Sequence, residues 1–183
     1  MLSRRRLLLA GAAAALFTAR PAIAARRIPD QKPRIMPARR ISLLNRHTGE
    51  TFEDIYWANG AYIPEALQRI DYVLRDHYND QISPIDTDLI DMLARLQARL
   101  GLTKSIEVLS AYRSPETNAA IRRQNGRAVK NSYHLHGKAA DICVSGFSLR
   151  TLRQAAITMK AGGVGWYPAL HFVHLDCGPF RTW

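Results

Sequence analysis

Hydrophobic period, and the order in which it changes along the chain, constrains this sequence most. Two helix-period stripes come first. Leu67, Ile70, Val73 and Leu74 recur at spacings of three and four, and Leu89, Leu93, Leu96 and Leu100 do the same. Short strand-like runs follow at 105–109, 139–144, 164–167 and 172–175, with one further helical stretch at 149–160 on Leu149, Leu152, Ala156 and Met159. Ahead of them, 41–46 and 51–57 flank His47-Thr48-Gly49-Glu50, a hairpin signal that makes His47 a solvent-facing turn residue. This order predicts an α+β domain with a small, mostly antiparallel sheet and helices packed on one side.

Local punctuation supports the same elements. Pro64 suits a first helical position, and Asp86-Thr87-Asp88 offers a cap with early negative charge. Gly101 closes the second helix, Ser114 caps a short one with Pro115 at its start, and Gly162-Gly163 ends the last. His77 continues the first apolar face and reads as a core-edge residue.

Residues 1–24 stand apart from this domain. Arg4-Arg5-Arg6 precedes an apolar run to Phe17 and then Ala22-Ile23-Ala24, the order of a cleavable export signal of twin-arginine type. The run is too short to span a bilayer, so stable membrane insertion is not expected after cleavage. Arg4, Arg5, Arg6 and Arg20 leave with the signal and no acid does, taking the formal charge from +11 to +7. Residues 25–40 form a basic arm dotted with Pro29, Pro33 and Pro37, and 41–183 the domain proper. An exported, periplasmic basic protein meets anionic wall polymer rather than nucleic acid. Export also places Cys143 and Cys177 in an oxidising compartment. Asp141 and Cys143 share one strand face, as do His174 and Asp176, so Cys177 points the other way. A disulfide would need a break in register, and small buried thiols are the default.

Four of the six histidines fall between His134 and His174. Zinc takes imidazole nitrogen and carboxylate oxygen, and a catalytic site uses three protein ligands with one position open. His134 and Asp141 are seven apart, which on one strand would set them on opposite faces. Gly137 permits a tight bend between them, and His174 on a nearby strand completes three. His136 reads either as pocket lining or as an exposed turn residue.

The string Ser132-x-His134-x-x-Gly137-x-Ala139-x-Asp141, followed later by Phe172-Val173-His174, resembles the M15 group of zinc D-Ala-D-Ala peptidases and murein endopeptidases. It is most similar to a twin-arginine-exported, periplasmic murein endopeptidase branch. Ser110-Ala111-Tyr112-Arg113-Ser114 matches a further element of that group, with Ala111 replacing a glycine. The likeness runs from about residue 41 to Trp183 and includes Gly162-Gly163-Val164-Gly165 and the closing aromatic. It implies the D-Ala-D-Ala metallopeptidase fold shared with Hedgehog-like domains, and Zn2+ on His134, Asp141 and His174. Arg113 would steady a substrate carboxylate or the carbonyl oxyanion, and Ser132 would hydrogen-bond substrate.

The general base is where this chain departs from the group. The position three before His174, a glutamate in some relatives, is His171, and the position two before, a histidine in others, is Phe172. His171 is the first candidate to take the proton from the attacking water, and Asp176 the other, unless Asp176 orients a ligand histidine. The implied substrate is the peptide cross-link of murein stem peptides, of 4–3 or 3–3 type. A carboxypeptidase, a wall-binding module with structural zinc, and a basic polymer-binding protein without metal are the alternatives.

Overall fold

The computed structural model describes residues 36–126 and 128–183. The expected signal and most of the basic arm lie outside them. Among the described residues eight strands form one sheet: β1 Arg39–Asn45, β2 Thr51–Ala58, β3 Ala61–Tyr62, β4 Ile106–Ser110, β5 Ala139–Cys143, β6 Gly163–Tyr167, β7 Phe172–Asp176 and β8 Arg181–Thr182. Their order is β3-β2-β1-β4-β5-β7-β6-β8. Only the β1–β4 and β6–β8 pairs are parallel, so the sheet is mixed but mostly antiparallel. The expected hairpin is present, with Asn45 N–H donating to the Glu50 carbonyl at 2.9 Å. β1 begins two residues earlier than the hairpin signal indicates, because Arg39 and Arg40 already pair with Trp57 and Ile55.

Among the described residues four α-helices accompany the sheet: α1 Pro64–Val73, α2 Thr87–Arg99, α3 Pro115–Asn125 and α4 Leu149–Met159. The caps act as their sequences predict. Asp86 accepts from Asp88 N–H, and Ser114 Oγ from Thr117 N–H at 3.1 Å. Packing outweighs capping in α2. Leu89, Ile90, Met92, Leu93 and Leu96 are all buried, at roughly 1.5–3 kcal/mol each. Its cap contributes about 1 kcal/mol.

α1, α2 and α4 share one core with the sheet, where Ile41, Leu43, Phe52, Val108, Ala140, Ile142, Val173 and Leu175 meet them. The alternate residues of β5 and β7 therefore face away from those helices. α3 is the exception to helices on one side: it borders a cleft on the opposite face.

His77 is corrected. α1 stops at Val73, and the chain then turns, with Asp76 N–H bonding the Gln81 carbonyl at 3.0 Å. His77 lies past that end, and its ring stacks on the exposed His47 at 3.9 Å. Among the described residues no helix is long and apolar enough to cross a membrane. Cys143 and Cys177 are both free.

Candidate active site

Strand register builds the site. β5 and β7 run antiparallel with Asp141 directly opposite His174, while Ala140–Leu175 and Ile142–Val173 fill the core between them. His134 comes from the chain just before β5, on a short 3-10 turn, Tyr133–His136. The expected bend at Gly137 is there, with φ at +62°. A Cβ on Gly137 would also lie 2.3 Å from the Pro84 carbonyl oxygen, so the position demands glycine on two grounds. Ser132 Oγ caps the turn by accepting from His134 N–H at 3.4 Å. The turn is tied to the chain after β4, where Arg113 N–H donates to the His134 carbonyl at 3.1 Å.

The three side chains converge. Ligand atoms of His134, Asp141 and His174 lie within 4.8 Å of one another. His134 Nε2 is 3.3 Å from His174 Nδ1 and 3.4 Å from Asp141 Oδ1, and His174 Nδ1 is 2.8 Å from that oxygen. The outer nitrogens are anchored. His134 Nδ1 lies 2.7 Å from the Ala111 carbonyl, which only accepts, so Nδ1 carries the proton and Nε2 turns its lone pair inward. His174 Nε2–H donates to Asp176 Oδ2 at 3.0 Å, leaving Nδ1 to face the same point.

Electrostatics follow from that arrangement. Burial opposes charge on Asp141, yet His134 and His174 hold its carboxyl below the usual carboxylate range. Burial lowers His134. Burial also works against a charged His174, but its hydrogen bonds to Asp141 and Asp176 outweigh it and raise the imidazole. Two imidazole nitrogens and one carboxylate, each ring fixed from behind by an acceptor, fit a zinc ion in donor chemistry and in the support around the donors.

Around this cluster lies a cleft of about 470 Å3. Arg113, Ser132, Asn131 and Gln124 supply polar lining, and Tyr133, Tyr167, Phe172 and Trp183 aromatic lining. Arg113 Nη2 is 3.5 Å from Asp141 Oδ2 and 3.0 Å from Ser110 Oγ, while its buried Nε has no partner. The guanidinium is thus at the cleft with a donor to spare.

The two residues expected to carry the proton are placed differently. His171 is exposed, in left-handed backbone at φ +59° after a 3-10 turn, and is not among the residues lining the cleft. Three positions before a strand ligand puts it outside the face that 172 and 174 share. Asp176 lines the cleft, but its carboxylate is sealed and engaged by His174, Arg181 and Gly178 N–H. Burial opposes its charge, and those bonds still hold it below the usual carboxylate range. His136 is exposed, outside the cleft lining. Arg181 and Trp183 belong to the site although no role follows for them from sequence; the closing Arg-Thr-Trp is their only signal.

An α+β fold with a largely buried His-Asp-His cluster at the foot of a cleft is the arrangement of a metal-dependent hydrolase. The peptidase M15 family described as peptidoglycan L,D-endopeptidase MepK matches residues 34–183, and the chain belongs to that family. Peptidoglycan L,D-endopeptidase MepK of Escherichia coli K12 is 39% identical over 181 residues, covering 99% of this chain and 97% of the relative. The probable peptidoglycan L,D-endopeptidase MepK of Haemophilus influenzae Rd is 39% identical over 153 residues, covering 83% and 80%.

Proposed function

We propose that this chain is a zinc-dependent endopeptidase that opens peptide cross-links of peptidoglycan during wall remodelling. The observation that carries the reading is the inward convergence of His134 Nε2, His174 Nδ1 and Asp141 Oδ1 with both outer ring nitrogens anchored. Membership of a peptidoglycan-cleaving family sets the substrate class. The relatives' L,D designation supports a bond from an L centre to a D centre, as in the 3–3 cross-link between diaminopimelates. Such a substrate lies outside the cytoplasm, which agrees with the twin-arginine-type signal read at residues 1–24.

Zinc held by His134, Asp141 and His174 would supply Lewis acidity at the scissile carbonyl and a nucleophile made from water near neutral pH. The chain's own residues do the rest. Arg113 presents a permanently charged fork beside Asp141 and stabilises negative charge developing on the carbonyl oxygen. Asp176 holds the proton on His174 Nε2, which keeps Nδ1 free to serve as a ligand. Ser132 shapes the His134 turn and offers its hydroxyl proton to a substrate carbonyl. In this reading neither His171 nor Asp176 takes the proton from water.

Digestion of purified sacculi, read by mass spectrometry of the muropeptides, tests the proposal. Zinc-loaded protein, a chelated sample and His174→Ala run side by side. Loss of 3–3 dimers confined to the zinc-loaded wild type is expected. Identical digests from all three, with zinc still bound to the wild type, would refute it.

A further inference from the structure

The glycine-rich start of β6 and the closing Trp183 are the motifs that the catalytic cluster leaves unexplained. A Cβ on Gly162 would lie 1.8 Å from the Asp176 carbonyl oxygen, and one on Gly163 would lie 2.5 Å from Asp176 Oδ2. On Gly165 it would lie 2.8 Å from the indole of Trp183. None of these three glycines has the left-handed backbone that would itself call for glycine. Space is what they provide, the first two for Asp176 and the third for an indole.

That indole is held on several sides. Its Nε1–H donates to Tyr167 Oη at 2.9 Å, Trp183 N–H donates to the Val164 carbonyl at 3.3 Å, and the Trp183 carbonyl accepts from Trp166 N–H at 2.9 Å. The ring lies 5.3 Å from the imidazole of His174, with the Arg181 guanidinium 4.9 Å from its centroid. Yet 46% of the residue remains exposed, and it lines the cleft. An aromatic fixed in place while half in water has already lost the freedom that binding would remove. Tyr167, Leu170 and Phe172 continue the apolar lining beside it, whereas Arg113 and Ser132 contribute polar groups.

We propose that Trp183 is a substrate-contacting residue of this peptidase. Its indole packs on the methyl and methylene groups of the stem peptide, alanine and diaminopimelate side chains being the fitting chemistry. It thereby holds the scissile carbonyl over the His-Asp-His cluster within reach of Arg113. The proposal rests on the cross-link peptidase reading. Gly165 serves it by giving the ring its place.

The test pairs kinetics on a soluble cross-linked muropeptide dimer with calorimetric binding of a murein tetrapeptide and with zinc content. Wild type, Trp183→Ala, Trp183→Phe and Gly165→Ala are compared. Trp183→Ala should raise KM for the dimer and Kd for the tetrapeptide about tenfold, with kcat within about threefold and zinc content unchanged. Trp183→Phe should return both to within about threefold of wild type, and Gly165→Ala should mimic Trp183→Ala by displacing the ring. An unaltered tetrapeptide Kd in Trp183→Ala overturns the proposal. So does a loss of affinity that follows zinc loss and that Phe does not rescue, since the ring would then only shield His174. A wild type that binds tetrapeptide without cutting any dimer defeats the endopeptidase reading alone, and the Kd series still decides Trp183. A wild type that binds neither overturns both.

Discussion

His174 Nε2 lies 3.0 Å from Oδ2 of Asp176, a carboxylate that no solvent reaches and that Arg181 grips through both of its terminal nitrogens. In the proposed reading, Asp176 supports His174 as a zinc ligand rather than transferring a proton. Asp176→Asn should therefore weaken zinc binding about 10–100-fold, measured by competition with a chelator. Activity should recover most of its wild-type value once zinc is saturating. A kcat that stays down by orders of magnitude at full zinc occupancy would return Asp176 to the role of base.

His171 yields the opposite expectation. It stands exposed on its turn, and its ring is not part of the cleft. His171→Ala should leave kcat/KM on a cross-linked dimer within about twofold of wild type, with an unmoved pH profile. A loss of a hundredfold or more would show that the turn at 168–171 closes over the cleft during catalysis.

Much of the fold, and the convergence of His134, Asp141 and His174, is legible in the sequence, for a reason that can be traced to particular residues. The stripes of α1, α2 and α4 and the alternation of β1 and β7 are local patterns, and local patterns survive into structure when one face is buried. The meeting of His134 and Asp141 is legible because Gly137 between them is a local backbone requirement. The exposed placement of His171 was not legible, because spacing from His174 says nothing of where the chain turns before β7. β3 and β8, of two residues each, carry no period at all. The grip of Arg181 on Asp176 and the placing of Trp183 depend on β8 adding to β6, a pairing that only the tertiary structure reveals.

Gly137 offers a test of the bend itself. An alanine there would meet left-handed backbone, at about 1–2 kcal/mol, and a carbonyl 2.3 Å from its Cβ. Gly137→Ala should lose about 3 kcal/mol or more of stability in urea unfolding, and zinc affinity with it, since His134 and Asp141 flank the residue. Gly101 is the control, with φ at +58° and nothing within 4 Å of an added Cβ. Gly101→Ala should cost about 1 kcal/mol and leave zinc binding alone. Equal losses at both positions would mean that the contact with Pro84 relaxes freely.

The stacked pair of His47 and His77 contributes to the pH dependence of stability. Burial, and then the charge of His47 beside it, push the His77 imidazole down to about 4, against the partial opposition of Asp76. Above the ordinary histidine pKa of 6.5, His77 is neutral folded and unfolded, and its contribution is fully present. As pH falls from there towards 4, the unfolded chain takes up a proton that the folded one refuses, so stability declines and then levels off. After discounting for partial exposure the loss amounts to about 2 kcal/mol. Other groups titrate in the same window, so the comparison is between wild type and His77→Gln, by urea unfolding at neutral pH and near pH ~4.5. The variant should gain about 2 kcal/mol on the wild type as the solution is acidified, because it has no proton to refuse. A gap that stays constant between the two pH values would show that His77 is protonated as readily in its stack on His47 as in the unfolded chain.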